Sequence, residues 1–358
     1  MTLPLSFSAH ASALLTRVAC GLSSIKLVYT PHNQWPLPKC STTTKDILQV
    51  SVLDSSFNPP TLAHLALARA PAEPLHLSSL GNTPNDVGDE DTGGYDACLL
   101  LLSIRNVDKP LKPDDATHLQ RLEMMFFFAQ DVIQSLHLQF PNCGSIDELD
   151  SNIAIAIINE PLFIDKSTAL LHFLSHQLSS FTSLSLHEST TKPAPNFHLS
   201  FLLGLDTLER LFLPRCYFGG IKEPMLNALW NFFDNDKSRF VCAWRDSSSY
   251  PSFNTPPQAQ PVSDLSKDES TTEVADQDQG SHLIPPAARE FILTHQITMI
   301  DIGTEKQSIS SSCVRSLRPG MEDGSSVWKG LVGLGIGRYI EENQLYLRPS
   351  MSNLTEAK

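Results

Sequence analysis

The chain lacks any apolar run approaching the roughly 18–20 residues that a membrane helix needs, so no helical span is expected. Its seven cysteines (20, 40, 98, 143, 216, 242 and 313) form no Cys-x-x-Cys and no paired spacing. That argues against a disulfide framework and points to buried free thiols in a reducing compartment. His10, His32, His118 and His137 fall at no ligand spacing, which leaves structural zinc without a donor set. Basic residues are outnumbered, 26 against 39 acidic, for a net charge of −13. A broad nucleic-acid surface is therefore not expected, and a nucleotide site would have to gather its cations locally. Acidic residues are missing altogether from the first 45 positions, which carry Arg17, Lys26, Lys39 and Lys45 among serines and threonines. That composition fits a mitochondrial presequence. It also fits a helix over Ala11–Cys20 and an edge strand over Ile25–Tyr29, the preferred reading because arginine is sparse. With no secretory signal in evidence, cytosol or nucleus is the expected compartment.

What is present is enough for a full core: 358 residues, 41% of them apolar and 18% charged. Strand-like runs recur at 47–54, 98–104, 152–158, 198–203, 239–244 and 297–302. Several are continuously apolar, as strands covered on both faces are. Helical spacing lies between them, at 61–69, 115–133, 167–179, 206–212 and 223–233, with Asp114 or Asp115 as a candidate cap for the second. The alternation predicts an α/β fold, a Rossmann-like doubly wound parallel sheet with a small C-terminal helical part. We divide the chain into an N-terminal extension (1–45), a catalytic domain (46–347) and a tail (348–358). Residues 77–95, rich in Gly, Asn and Asp, read as a mobile loop. Residues 246–286 hold seven acidic groups and one lysine with little apolar content, and read as a disordered insertion inside the domain.

Two stretches carry chemistry. Residues 53–65 read Leu-Asp-Ser-Ser-Phe-Asn-Pro-Pro-Thr-Leu-Ala-His-Leu: the end of a strand, a tight loop, then a helix start. Loop and first-turn amides converge on an anion there, and the helix dipole adds positive potential. Thr61 is placed to cap the helix, and His64, three residues on, can donate to a phosphoryl oxygen. Residues 309–315 read Ile-Ser-Ser-Ser-Cys-Val-Arg, a second capped helix start, where Arg315 can meet a phosphate with its planar fork. By contrast Gly333-Leu-Gly-Ile-Gly lacks dinucleotide-fingerprint spacing and reads as a turn into the last helix.

The first stretch resembles the Gly-Ser-Phe-Asn-Pro-x-Thr-x-x-His signature of the nicotinamide/nicotinate mononucleotide adenylyltransferases, within the nucleotidyltransferase superfamily. Ser56, Phe57, Asn58, Pro59, Thr61 and His64 match, and Ser55 stands where glycine is usual. The second resembles the family's Ile-Ser-Ser-Thr-x-Ile-Arg, with Ile309, Ser310, Ser311 and Arg315 matching. The order of the two, about 250 residues apart with a βα pattern between, is more specific than either alone. The chain thus looks like a divergent, fungal-type eukaryotic member. The resemblance implies transfer of an adenylyl group from ATP to nicotinamide mononucleotide, giving NAD and pyrophosphate, with Mg²⁺ carried largely on the phosphates. It implies ATP contacts from Ser56, Phe57, Asn58, Thr61, His64, Asp206, Ser310, Ser311 and Arg315, with His64 and Arg315 as the catalytic pair. It places Lys109, Glu160, Thr168 and Arg245 on phosphates or acceptor. Phe57 also reads as a packing residue, Asp206 as a helix cap, Asp54 as a loop-fixing carboxylate, and Lys109 and Lys112 as solvated lysines.

The attacking phosphate monoester is already ionised at neutral pH, so the reaction calls for in-line placement and charge screening rather than a general base. Family members stack the nicotinamide ring on a tryptophan of a Trp-Glu pair. Here the position reads Ile158-Asn159-Glu160, without the tryptophan, and Phe163 is a possible substitute. Two other readings stay open: adenylyl or cytidylyl transfer to another phosphorylated acceptor, and a nucleotide-binding or weakly ATP-hydrolysing regulatory protein.

Overall fold

A computed structural model describes residues 2–37, 46–72, 94–105, 112, 114–139, 152–184, 195–217, 220–245, 284–318 and 327–347. Lys109, nearly all of 77–95, most of 246–286 and the tail 348–358 lie outside these residues. Among the described residues, seven strands form one sheet: β1 (Ile25–Tyr29), β2 (Ile47–Asp54), β3 (Ala97–Ser103), β4 (Ile153–Ile158), β5 (Asn196–Gly204), β6 (Arg239–Ala243) and β7 (Ile297–Ile300). Their spatial order is β1-β4-β3-β2-β5-β6-β7. Every neighbouring pair is parallel except β1 with β4. Leaving out β1, the chain crosses from β2 outward to one edge, returns, and proceeds outward to the other. This is the doubly wound order, with its reversal at β2.

Continuous apolarity has the expected cause. All six residues of β4 are buried, and alternate residues along the strands feed opposite layers. One layer holds α1 (Leu5–Ala19), α2 (Leu62–Ala68), α3 (His118–Gln139), α9 (Ser311–Leu317) and α10 (Leu334–Glu342). The other holds α4 (Phe163–Leu184), α5 (Leu205–Leu211), α6 (Lys222–Trp230) and α7 (Arg289–Leu293). A short α8 (Thr304–Gln307) leads into α9.

The helix and edge strand expected within 1–45 form, the turn expected before the last helix holds, and the expected cap of α3 changes. Phe7, Ala11 and Val18 of α1 are buried in the core, and β1 pairs with β4 from Ile25 opposite Ile158 to Tyr29 opposite Ile155. Helix α3 is capped by Thr117 rather than Asp114 or Asp115. The Thr117 hydroxyl accepts the Gln120 N–H, and the Gln120 side chain accepts the Thr117 N–H, a reciprocal capping box. Asp115 is thereby free for the site. Gly333 precedes α10 as a turn, and Gly335 lets that helix lie close on Phe127, where an added Cβ would sit 3.2 Å from the ring.

Candidate active site

The carboxyl ends of β2 to β7 open into one cleft of about 1000 Å³. A doubly wound sheet places ligands there, where the chain order reverses. In a chain with a large negative excess, the cleft is lined among the described residues by eight lysine and arginine side chains against three carboxylates, Asp54, Asp115 and Asp206. The local surplus of positive charge suits a polyphosphate.

The first loop is held from several sides. Phe57, wholly buried with φ 45°, packs its ring 5.8 Å from His64 and 6.0 Å from Phe128. Asn58 is buried beside it. Its amide N–H donates to Asp115 at 2.7 Å, and its amide oxygen accepts from the Ala116 N–H at 3.2 Å and from the Tyr346 hydroxyl at 2.8 Å. Arg121, also buried, donates to the Ala116 carbonyl at 2.8 Å and to the Ser56 carbonyl at 3.3 Å. These side chains, turned beneath the loop, fix its backbone beside the cleft.

Thr61 caps α2 and is itself buried. Its backbone N–H donates to His64 Nδ1 at 3.1 Å. An accepting Nδ1 leaves the proton of a neutral ring on Nε2, which lies 2.9 Å from the Ser55 hydroxyl at the cleft wall. Burial lowers the His64 pKa to about 4; Asp206 opposes the shift and Arg245 adds to it. His64 is thus a neutral donor facing the cleft.

The second stretch docks on the first. Ser310 caps α9 by accepting the Cys313 N–H at 3.1 Å. The Ser311 hydroxyl donates to the Pro59 carbonyl at 2.8 Å, and Arg315 donates through Nη1 to the Asn58 carbonyl. Arg315 Nε lies 3.7 Å from Asp115. Burial alone would raise the Asp115 carboxyl, but the Lys112 N–H, the Asn58 amide and the two guanidiniums, Arg315 and Arg121, take it below the usual range.

Across the cleft, Asp206 at the start of α5 bridges Arg210 at 3.1 Å and Arg245 at 3.6 Å. On the β3/β4 side a buried ion pair joins Lys166 of α4 to Asp54, the last residue of β2. The Lys166 ammonium also sits 4.8 Å from the Phe163 ring centroid.

No family model matches the chain. A Schizosaccharomyces pombe protein named "Putative nicotinamide mononucleotide adenylyltransferase" is 27% identical over 197 residues, 55% of this chain and 53% of that protein. The chain resembles the mononucleotide adenylyltransferases. It spans about half the length of the curated relative it matches. Two solved structures of the Plasmodium falciparum nicotinic acid mononucleotide adenylyltransferase, complexed with NaAD and with APC, align over 84% of this chain and 97% of theirs. Identity is 14% in both, with TM-scores of 0.39 and 0.37, too low to establish a common fold.

Of the residues that the resemblance singles out, Ser56, Asn58, His64, Asp206, Arg245, Ser310, Ser311 and Arg315 line the cleft. Phe57 and Thr61 lie behind it: the first anchors the loop, the second orients the histidine. Thr168 is outside. It is exposed on α4 and donates to the Asp236 carboxylate at 3.1 Å, because Lys166 and Leu170 take the inward positions of that helix. Glu160 does not line the cleft either; its backbone carbonyl accepts the Ser103 hydroxyl at 2.9 Å. Lys109 lies outside the described residues. The sequence reading missed Asp115, Arg210, Tyr346 and Lys166. For Lys166 a signal existed: it continues the buried stripe Leu170, Leu174, Leu178 at four-residue steps, where a lysine is out of place unless it has a partner.

Proposed function

We propose that this protein transfers the adenylyl group of ATP to a nicotinamide or nicotinate mononucleotide, forming the dinucleotide and pyrophosphate. The observation that carries the reading is the docking of the two signature stretches. Ser311 and Arg315 bond directly to the carbonyls of Pro59 and Asn58, so both helix starts address one cation-rich cleft. The named relative supports the same activity.

In this reading ATP enters as its magnesium complex. The three aspartates of the cleft all face cations already: Lys166 for Asp54, Arg315 and Arg121 for Asp115, Arg210 and Arg245 for Asp206. Mg²⁺ would come with the phosphates of ATP and screen their charge, since each of these three carboxylates already has a cationic partner. An acceptor phosphate oxygen attacks the α-phosphorus. The bond from that phosphorus to the α–β bridging oxygen breaks, and pyrophosphate departs with the electron pair. No proton has to move, because the monoester is ionised. His64, neutral with its proton on Nε2, exchanges Ser55 for a phosphoryl oxygen as charge develops. Arg315 faces the leaving pyrophosphate. Asp206, at the end of β5, belongs to the nucleoside half, with Arg245 beside it for the phosphates.

Purified protein given ATP and Mg²⁺ with nicotinamide mononucleotide, nicotinate mononucleotide or phosphopantetheine tests this. Dinucleotide and pyrophosphate should form with a mononucleotide, and His64→Ala should lower kcat on the order of 10²–10³-fold, the cost of one transition-state donor. Turnover with CTP only, or ATP binding without transfer to any acceptor, would contradict the reading.

A further inference from the structure

The Lys166–Asp54 pair has no role in the account above, and its position asks for one. Both side chains are buried, yet both line the cleft. A buried ion pair is poor value as a stabiliser, since desolvating two charges offsets most of their attraction and an apolar pair of similar volume does as well. Such a pair is better explained by a ligand that needs the charge.

Its place says which ligand. Asp54 ends β2, at the reversal of the sheet, one residue before the loop that holds Ser55 and Ser56. Lys166 comes from α4, which follows β4, on the opposite side of β2 from Asp206 and Arg245. In the adenylyl-transfer reading the nucleoside lies on the Asp206 side of β2, which leaves Lys166 on the acceptor side. The residues that the resemblance assigns to an acceptor there, Glu160 and Thr168, are out of the cleft, and no indole stands in the stacking position. What that half does present is an ammonium above the face of Phe163, with Arg105 nearby on the lining. An ammonium carries three N–H groups; Asp54 takes one, and Lys166 lines the cleft with two more to offer.

We propose that Lys166 is the acceptor-binding cation of this protein, taking an oxyanion of the incoming mononucleotide while Asp54 holds the ammonium in place. The oxyanion is either the phosphate monoester or a ring carboxylate. The inference rests on the adenylyl-transfer reading, and the test separates the two.

Lys166→Met alone strands a buried carboxylate, so the informative variant is Asp54→Asn/Lys166→Met, which removes both charges at nearly constant volume. Binding of nicotinamide and nicotinate mononucleotides is measured by calorimetry in the presence of a non-hydrolysable ATP analogue, alongside turnover KM values and Tm. The double variant should keep its Tm and its ATP KM and lose about tenfold or more in acceptor affinity, the worth of a charge-assisted hydrogen bond. Loss for both acceptors identifies the phosphate; loss for nicotinate mononucleotide alone identifies the carboxylate. Asp54→Asn by itself, which keeps the ammonium but loosens its hold, should lose less acceptor affinity than the double variant. Acceptor affinity unchanged in the double variant, or equal loss in Asp54→Asn, overturns the inference. So does a wild-type protein that binds neither mononucleotide. A wild-type protein that binds an acceptor but never turns it over overturns the adenylyl-transfer reading, while the affinity comparison still decides the role of Lys166.

Discussion

His64 works as a hydrogen-bond donor that stays neutral. With its pKa lowered to about 4 by burial, against the pull of Asp206, the ring gains no proton anywhere in the physiological range. The linkage has a definite sign. The unfolded histidine binds a proton near pH 6.5 and the folded one near 4, so between those values the unfolded state carries more protons. Stability therefore falls as pH drops through that window and is flat above it. A ¹H–¹⁵N titration of the histidine rings should show one, absent in His64→Ala, that moves near pH 4; a His64 signal titrating near 6.5 would contradict the assignment. The placement of His64, Ser311 and Arg315 on the cleft was legible because residue type and spacing put each at a helix start. Asp115 was not, since a carboxylate ahead of a helical pattern reads first as a cap. Only the Thr117/Gln120 exchange shows that the cap is supplied elsewhere and that Asp115 turns to Arg315 and Asn58.

At the scale of elements, the sheet and most helices were readable from apolar runs and helical spacing, because burial on both faces leaves the central strands few polar positions. Less legible was the role of the first thirty or so residues, whose lack of acidic side chains also fits a targeting segment. Their contribution is structural. Phe7 packs 5.1 Å from Phe126, and Ser8 donates to Glu123, whose other oxygen accepts the Tyr339 hydroxyl, tying α1, α3 and α10 together. Phe7→Ala should cost about 3 kcal/mol, the lower range for a buried phenylalanine, with the nucleotide site intact. Urea unfolding measures it; a change within about 0.5 kcal/mol, the range of ordinary surface substitutions, would show that α1 is dispensable. The docking of α9 on the loop after β2 could not be read from either stretch alone, since it depends on hydrogen bonds between residues about 250 positions apart.

For the whole molecule, the doubly wound order brings every parallel strand's carboxyl end to one side, and the reversal at β2 divides the cleft into two halves. Against the negative excess of the chain, eight lysine and arginine side chains among the described residues line that cleft with three carboxylates. Of the residues that the resemblance assigns, Glu160 and Thr168 lie out of the cleft, where the helix after β4 turns a lysine inward instead. The central claim is that both signature stretches grip the same triphosphate. A crystal structure with Mg²⁺ and a non-hydrolysable ATP analogue tests it most directly. His64 Nε2 and the Arg315 guanidinium should each lie about 3 Å from phosphate oxygens of one nucleotide; a nucleotide bound outside this cleft, or one touched by only one of the two side chains, would contradict it.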